Sequence, residues 1–154
     1  MEYLYKSGKV KAIGVSNFNI HDLKNLMENC TIKPMVNQIK VCPGSTPFEL
    51  LEFCKKNDIV VEAYSPIDTG KALEDVRLQD LARHKKVTIP RLCIRYTLNL
   101  GLVSLPKARS REHLKENFNT DTYLSFDEME LMKSFYPYEK MINQDDPDYY
   151  EILD

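Results

Sequence analysis

The sequence has no tryptophan, and its five glycines and four cysteines are too scattered to form common cofactor or metal motifs. No Gly-x-Gly-x-x-Gly follows the first apolar run. This disfavours the doubly wound dinucleotide fold, whose glycines let the backbone approach a pyrophosphate. The cysteines include no Cys-x-x-Cys pair, and no histidines stand near them at ligand spacing. We therefore expect no zinc site and no other bound metal.

Neither charge nor hydropathy points to a polyanion or a membrane. Twenty-one Lys and Arg against 23 Asp and Glu give a net charge of -2, which is too balanced to predict binding to nucleic acid or to a membrane surface. No window approaches the ~20 apolar residues that a transmembrane helix needs. The first residues, MEYLYKSGKVKAIG, lack the apolar stretch of a secretion signal. We expect a soluble, cytoplasmic protein with reduced thiols.

Four short runs of apolar or β-branched residues predict strands. The runs are almost continuously apolar rather than alternating, which is typical of parallel strands covered on both faces. Helices must then cross between successive strands. The predicted strands are Val10–Val15, Met35–Val41, Ile59–Ala63 and Leu102–Leu105.

Capping residues mark where helices begin between and after these strands. Thr46, Pro47 and Glu49 resemble a capping box with proline in the first turn, and this is the clearest helix start in the sequence. The other predicted N-terminal caps are Asn19, Thr88, Ser110 and Ser125. Residues 144–154 are rich in aspartate and are expected to form a loosely held tail.

The order of elements is therefore βαβαβαβα, an α/β class with four parallel strands and outer helices. Right-handed crossovers would place the strands side by side, either in an open sheet or as four-eighths of a barrel. With 154 residues and 43% hydrophobic content, the chain can form one globular domain with its own core, and a second full domain is not expected.

Polar and aromatic residues gather at the carboxyl ends of the predicted strands, the edge at which parallel α/β folds carry their sites. Each one taken alone is as well explained by strand-end capping. Four such ends in one chain favour a shared site. The residues are Ser16 and Asn17, Gln38, Tyr64 and Ser65, and Lys107 with Arg109.

Four segments resemble the C-terminal half of aldo-keto reductases: KVKAIGVSNF, PMVNQIKVCP, VVEAYSPI and SLPKARSREHLKENF. Their order and approximate spacing also agree with that family, and the similarity runs from about Leu4 to about Phe126. The resemblance implies the C-terminal half of a (β/α)8 TIM barrel, with residues 1–154 forming a partial aldo-keto reductase domain. It implies NADP(H) as cofactor, with NAD as the alternative.

The resemblance also assigns the nicotinamide end of that cofactor. Ser16, Asn17 and Gln38 match the residues that hydrogen-bond the carboxamide, and their side chains supply the donors and acceptors that an amide needs. Tyr64 matches the aromatic side chain on which the nicotinamide stacks. Packing in the core is the alternative for Tyr64. Ser65 and Ile67 match positions beside the pyrophosphate.

The adenosine end falls at the start of the helix that Ser110 caps, where an anion is attracted. Lys107 is the strongest candidate for a 2′-phosphate. His113 stands where the family commonly has an arginine, and a neutral imidazole supplies less charge. Preference for NADPH over NADH therefore stays open, although Arg109 could compensate. The residues that the resemblance places here are Lys107, Ala108, Arg109, Ser110, His113, Glu116 and Asn117.

The family's first four strands, which carry its catalytic Asp, Tyr, Lys and His, have no counterpart in the sequence, so no catalytic residue is assigned. We expect an NAD(P)H-dependent carbonyl reductase that works with a complementary N-terminal half barrel. The alternatives are a nucleotide-binding half barrel without chemistry and an inactive product of a truncated gene. Exposed edges of a half barrel also predict self-association or poor solubility.

Overall fold

Short strands alternate with helices, as the sequence predicts. The computed structural model describes residues 1–135, and within them the strands are β1 (Gly14–Ser16), β2 (Val36–Lys40), β3 (Val60–Tyr64) and β4 (Val103–Leu105). They form one sheet in the order β1-β2-β3-β4, and β1 pairs with β2 in parallel. The prediction of four parallel strands with flanking helices is confirmed. The predicted tail, residues 144–154, lies outside the described residues.

Seven α-helices and one 3₁₀ segment, Asp68–Glu74, complete residues 1–135. Between β3 and β4 the chain forms the 3₁₀ segment and two helices. The helices are α1 (Glu2–Lys6), α2 (Ile20–Asn29), α3 (Phe48–Lys56), α4 (Val76–Lys85), α5 (Ile89–Asn99), α6 (Arg111–Phe118) and α7 (Phe126–Lys133).

The first strand is shorter than predicted, and it begins at Gly14 instead of Val10. The backbone N–H groups of Lys9 and Val10 both donate to the carbonyl of Leu4. They close a turn after α1, so they are not available to a strand ladder. Of residues 10–13, Ile13 is buried in the core and Val10 is half-buried, while Lys11 and Ala12 are exposed.

Gly14 allows β1 to lie unusually close to β2. A Cβ atom at this position would sit 2.6 Å from the carbonyl oxygen and 2.8 Å from the Cβ of Val36, which is closer than van der Waals contact permits. Gly14 pairs with Val36 in the parallel register, and the same register pairs Ser16 with Gln38. Glycine at this position therefore helps to set which polar residues meet at the strand ends.

Four of the five predicted caps are confirmed. Asn19 and Ser125 each form a complete capping box with the residue three positions later. Thr88 and Ser110 accept a hydrogen bond from the backbone of the third helical residue. Each cap satisfies a backbone N–H that has no partner within the helix.

The capping box predicted at Thr46 is wrong. Helix α3 begins after Pro47, and no side chain caps it. The Thr46 hydroxyl is engaged elsewhere, because it donates to the carbonyl of Cys42 at 2.9 Å and lies 2.9 Å from the Tyr96 hydroxyl. Thr46 therefore closes the turn after β2 and does not start the helix.

The described residues form two compact units. The first contains Met1–Ile39 and Pro47–Glu62, and its buried apolar residues are Ile13, Leu23, Ile39, Leu50, Cys54, Ile59 and Val61. The second contains Lys40–Thr46 and residues 63–135, and its core is Ala72, Leu78, Leu81, Ala82, Leu92, Cys93, Tyr96, Leu124, Met129, Met132 and Phe135. None of the helices within residues 1–135 is both long and apolar enough to cross a bilayer.

Candidate functional site

Three of the predicted site residues meet at the carboxyl ends of β1 and β2 in the first unit. The carbonyl oxygen of Gln38 accepts hydrogen bonds from the Ser16 hydroxyl at 3.0 Å and from the Asn17 backbone N–H at 2.9 Å. Asn17 has a positive φ of 57°, a conformation that asparagine adopts more readily than most residues. The structure thus brings Ser16, Asn17 and Gln38 together in one group.

The side-chain amide of Gln38 is oriented by a carboxylate of the next strand. Its Nε2 donates to Glu62 Oε2 at 2.7 Å, and both residues are half-buried. A hydrogen bond to a charged acceptor is stronger than one between neutral groups. Because Glu62 accepts through its oxygen, the amide of Gln38 is fixed with its nitrogen towards Glu62 and its oxygen available as an acceptor.

Asn37 is a residue of this region that the sequence analysis did not select. It is fully buried, and its side chain binds the backbone of Phe18 on both sides: Nδ2 donates to the carbonyl at 2.8 Å, and Oδ1 accepts from the N–H at 3.4 Å. Burial raises the pKa of the neighbouring Cys54 thiol, and a hydrogen bond with Asn37 partly offsets this. Asn37 therefore fixes the backbone directly after Asn17.

Tyr64 ends β3 in the second unit and leads into a loop of unusual backbone conformation. Ser65, Asp68 and Thr69 all have φ values between 45° and 52°, and Gly70 has a φ of 106°. For residues other than glycine this left-handed region costs roughly 1–2 kcal/mol each. Ser65 and Ile67, the predicted pyrophosphate residues, belong to this loop, which we call the β3 loop (residues 65–70).

The β3 loop contains a buried charge that the sequence analysis also missed. Asp68 is 8% exposed, and its Oδ1 lies 2.6 Å from Nζ of Lys40, the last residue of β2. Burial of a carboxylate without a partner is strongly unfavourable, so the lysine is what makes this position tolerable. The sequence signal for this buried charge was an aspartate in the proline-containing segment after β3. The sequence does not show that its partner is Lys40, which lies 28 positions earlier.

Cys42 lies close to this ion pair. Burial, together with the negative charge of Asp68, raises the pKa of its thiol to about 12. The thiol therefore stays protonated near neutral pH and is a poor nucleophile.

The predicted adenosine-end residues lie around the start of α6, also in the second unit. Lys107 and Arg109 are exposed ahead of the helix, while Ala108 between them is half-buried. The hydroxyl oxygen of Ser110 accepts from the backbone N–H of His113 at 3.1 Å, so it caps the helix, and the hydroxyl also hydrogen-bonds the Glu112 carboxylate, whose pKa is lowered by its own backbone N–H and by this hydroxyl. The two exposed cations, Lys107 and Arg109, therefore add positive charge next to the N-terminus of α6.

Glu116 and Asn117 are both held by neighbouring groups. The carboxylate of Glu116 accepts from the Thr88 hydroxyl at 2.6 Å and pairs with Arg91 Nε at 3.0 Å. Asn117 Nδ2 donates to the carbonyl of Lys107 at 3.4 Å. Asn117 thus connects α6 to the segment that follows β4. Glu116 has a structural role in joining α6 to the start of α5, whatever it contributes to a ligand.

A groove of about 630 Å³ lies beside α6 in the second unit, and among the candidate residues Asn117 lines it. Its walls come from α5, the end of β4 and α6, and they include Ile94, Leu98, Leu114 and Phe118. Leu114 is 62% exposed and Phe118 is 87% exposed. A wide apolar groove of this kind is typical of a surface that packs against other protein.

The sequence model of the aldo/keto reductase family matches residues 1–137. Glyoxal reductase of Bacillus subtilis is 38% identical over 131 residues, covering 84% of this chain and 48% of the relative. The crystal structure of MGS-M4, an aldo-keto reductase enzyme from a Medee basin deep-sea metagenome library, superposes with a TM-score of 0.85 at 37% identity, covering 95% of this chain and 56% of that one.

A third similar structure holds a cofactor. It is a Bombyx mori aldo-keto reductase in complex with NADP, with a TM-score of 0.81 at 28% identity, covering 98% of this chain and 52% of that one. The chain spans about half the length of the curated relatives that it matches. The expected fold class is thereby confirmed: the four parallel strands correspond to about half of a (β/α)8 barrel.

Proposed function

Because this chain belongs to the aldo/keto reductase family, we propose that it binds NADP(H) and serves as the cofactor-binding half of a carbonyl reductase. The observation that carries the proposal is the group formed by Ser16, Asn17 and Gln38 at the ends of β1 and β2. These are the residues that the family resemblance assigns to the nicotinamide carboxamide. When bound, the nicotinamide supplies the hydride for reduction of a carbonyl.

The donors and acceptors of this group fit a primary amide. Since Ser16 and Asn17 both donate to the backbone carbonyl of Gln38, the strand ends are rigid and their spacing is set by the parallel register. The orientation imposed by Glu62 leaves the side-chain oxygen of Gln38 free to accept from a carboxamide N–H. Rigid, prearranged partners bind at a lower entropic cost than mobile ones.

The phosphates and the adenosine are proposed to bind the second unit. The Ser65 hydroxyl and the β3 loop backbone suit the pyrophosphate, and Lys107 and Arg109 suit a 2′-phosphate. Tyr64 offers a ring for the nicotinamide to stack on. With His113 in place of a strong cation, we infer that Lys107 and Arg109 carry most of any preference for NADPH over NADH. The four free cysteines are consistent with a reducing cytoplasm.

Reduction of a carbonyl also requires a proton donor with a tuned pKa. Burial raises the pKa of Tyr96 to about 12, so this tyrosine is a worse acid than free tyrosine. We therefore propose that the proton donor lies outside residues 1–135. A nucleotide-binding half barrel without chemistry and an inactive gene product are the alternatives that the next experiment separates.

NADPH titrated into the 154-residue chain should bind saturably in isothermal titration calorimetry. Addition of a simple aldehyde should leave the rate of NADPH oxidation at the background of buffer. Mixing with an N-terminal four-strand half from a complete relative should raise that rate. Tyr64→Ala should weaken binding about tenfold, because base–aromatic stacking contributes about 1–3 kcal/mol.

The matched control is Tyr123→Ala, which removes a side chain that is 70% exposed and lies outside the proposed site. It should bind NADPH as the parent chain does. Failure of the parent chain to bind NADPH would refute the proposed function. Equal affinity of the Tyr64 and Tyr123 variants would refute the stacking role.

We further propose that the apolar surface around β4 and α6 is covered by a second copy of the chain or by a complementary half barrel. Val103 and Leu105 on β4 are 45% and 38% exposed, in addition to Leu114 and Phe118 on α6. These are exposed apolar side chains on the strand that ends the sheet and on the helix that follows it, and burying even ~100 Å² of such surface would contribute about 2.5 kcal/mol before entropic costs.

Sedimentation velocity should show concentration-dependent association of the parent chain, and Phe118→Ser should shift it towards the monomer. Phe126→Ser, at another exposed phenylalanine (76%) on α7, is the matched control and should leave association unchanged. A parent chain that is a monomer at all concentrations, with a reversible and cooperative melt, would contradict this proposal.

A further inference from the structure

We propose that Lys40 is a positioning residue that holds the β3 loop in its ligand-binding conformation through the ion pair with Asp68. The inference rests on the proposed function, since it concerns the loop that carries Ser65 and Ile67. It adds a residue from a different strand to the site. Lys40 acts through Asp68 and is not assigned a contact with the cofactor.

The first argument for the Lys40–Asp68 ion pair as a positioning contact, which we call the latch, comes from the backbone of the β3 loop. Ser65, Asp68, Thr69 and Gly70 all lie in the left-handed region, and a non-glycine residue enters this region only when its surroundings hold it there. Two short-range hydrogen bonds, Asp68 N–H to Ser65 O at 2.8 Å and Gly70 N–H to Ile67 O at 2.9 Å, close the turns. Both are local, so they do not fix the loop against the rest of the unit.

The ion pair supplies a connection that those turns lack. It joins Asp68 to the end of β2, which precedes it by 28 positions in the chain, at an N–O distance of 2.6 Å. The Asp68 side chain is 11% exposed and that of Lys40 is 32% exposed, so solvent screens this pair less than a surface pair. An ion pair of this kind can hold one backbone arrangement where the turn alone would permit several.

The sign of the buried charge is the second reason. Asp68 directly follows Ile67, beside which we propose that the pyrophosphate binds, and an unpaired carboxylate there would repel a diphosphate. Lys40 cancels that charge. Its loss should therefore both free the loop and leave a carboxylate next to the phosphate positions. Loss of Asp68 should free the loop alone.

The test is a double-mutant cycle with Lys40→Met, Asp68→Asn and the double variant, read by NADPH affinity in calorimetry. Lys40→Met should raise the dissociation constant about tenfold, and Asp68→Asn should raise it less. The double variant should bind better than Lys40→Met, because the unpaired carboxylate is gone. The exchanged pair Lys40→Asp with Asp68→Lys should recover part of the loss.

Lys55→Met is the charge-matched control, since it removes one cation from the exposed end of α3, and it should bind NADPH as the parent chain does. Unchanged affinity of Lys40→Met would overturn the proposal. Tighter binding by Asp68→Asn would overturn it as well, because it would show that Lys40 itself contacts the phosphates once released.

Amide hydrogen exchange without nucleotide separates this proposal from the proposed function. Lys40→Met should speed exchange at residues 68–72 while leaving α5 unchanged. If the parent chain fails to bind NADPH but this local effect is present, the latch holds and the proposed function fails. If exchange at residues 68–72 is the same in the parent and the variant, the latch is refuted whatever the affinity.

Discussion

Replacement of Tyr96 by alanine should lower the free energy of unfolding by about 3–5 kcal/mol, the cost typical of removing a large buried aromatic side chain. Tyr96 is fully buried on α5 and belongs to the core of the second unit with Leu92 and Met132. Its ring fills space between elements, and alanine would leave a cavity there. Urea denaturation followed by far-UV circular dichroism measures the change.

The Tyr96→Phe variant separates the ring from the hydroxyl. Because the single proton of the Thr46 hydroxyl goes to the carbonyl of Cys42, the Tyr96 hydroxyl is the donor in its 2.9 Å contact with Thr46. Its loss should cost about 1 kcal/mol. Tyr123→Ala, at an exposed position, should change stability by less than about 0.5 kcal/mol. A cost below about 1 kcal/mol for Tyr96→Ala would show that the core does not depend on this side chain.

The same variant tests the effect of burial on the phenol. Burial raises the pKa of Tyr96 from 10.0 to about 12, so folding favours the protonated form. The stability that the buried, protonated phenol contributes is fully present below pH 10 and is lost as the pH rises from 10 towards 12. By pH 11 the parent chain should lose about 1.4 kcal/mol that Tyr96→Phe does not lose. Equal alkaline losses in the two proteins would count against a buried, neutral phenol.

The sequence was sufficient for the order and the type of the elements because those depend on local patterns. Asn19 and Ser125 cap helices through hydrogen bonds to residues three positions away, so the signal lies within one short segment. Thr46 has the same local pattern, yet its hydroxyl contacts Tyr96, which is 50 positions distant. A tertiary contact outcompeted the local cap, and a local pattern carries no information about it.

The same distinction applies to the candidate site. Family resemblance identified Ser16, Asn17 and Gln38, and the parallel register that pairs Ser16 with Gln38 explains why they meet. The resemblance gave no role to Asn37, Lys40 or Asp68, whose functions depend on partners 19 to 28 positions away. A buried asparagine inside an apolar strand was the available clue for Asn37, since a polar group at such a position requires hydrogen-bond partners.

Replacement of Asn37 by alanine should remove about 2–4 kcal/mol of stability, because its two hydrogen bonds to the backbone of Phe18 are lost and that N–H and carbonyl are left without these partners. It should also weaken NADPH binding, since Phe18 directly follows Asn17, whose backbone must stay in the left-handed region. Denaturation and NADPH calorimetry on the same preparation measure the two effects.

Asn57→Ala is the matched control, since Asn57 makes one side-chain hydrogen bond to the carbonyl of Phe53 at the end of α3, away from the proposed site. It should cost about 1 kcal/mol or less and leave NADPH affinity unchanged. The comparison decides whether Asn37 has a positioning role. If both variants lose stability but bind NADPH equally well, Asn37 stabilises the fold alone. If only Asn37→Ala loses NADPH affinity, and loses more than its unfolded fraction explains, then the buried amide positions Ser16, Asn17 and Gln38 for the nicotinamide.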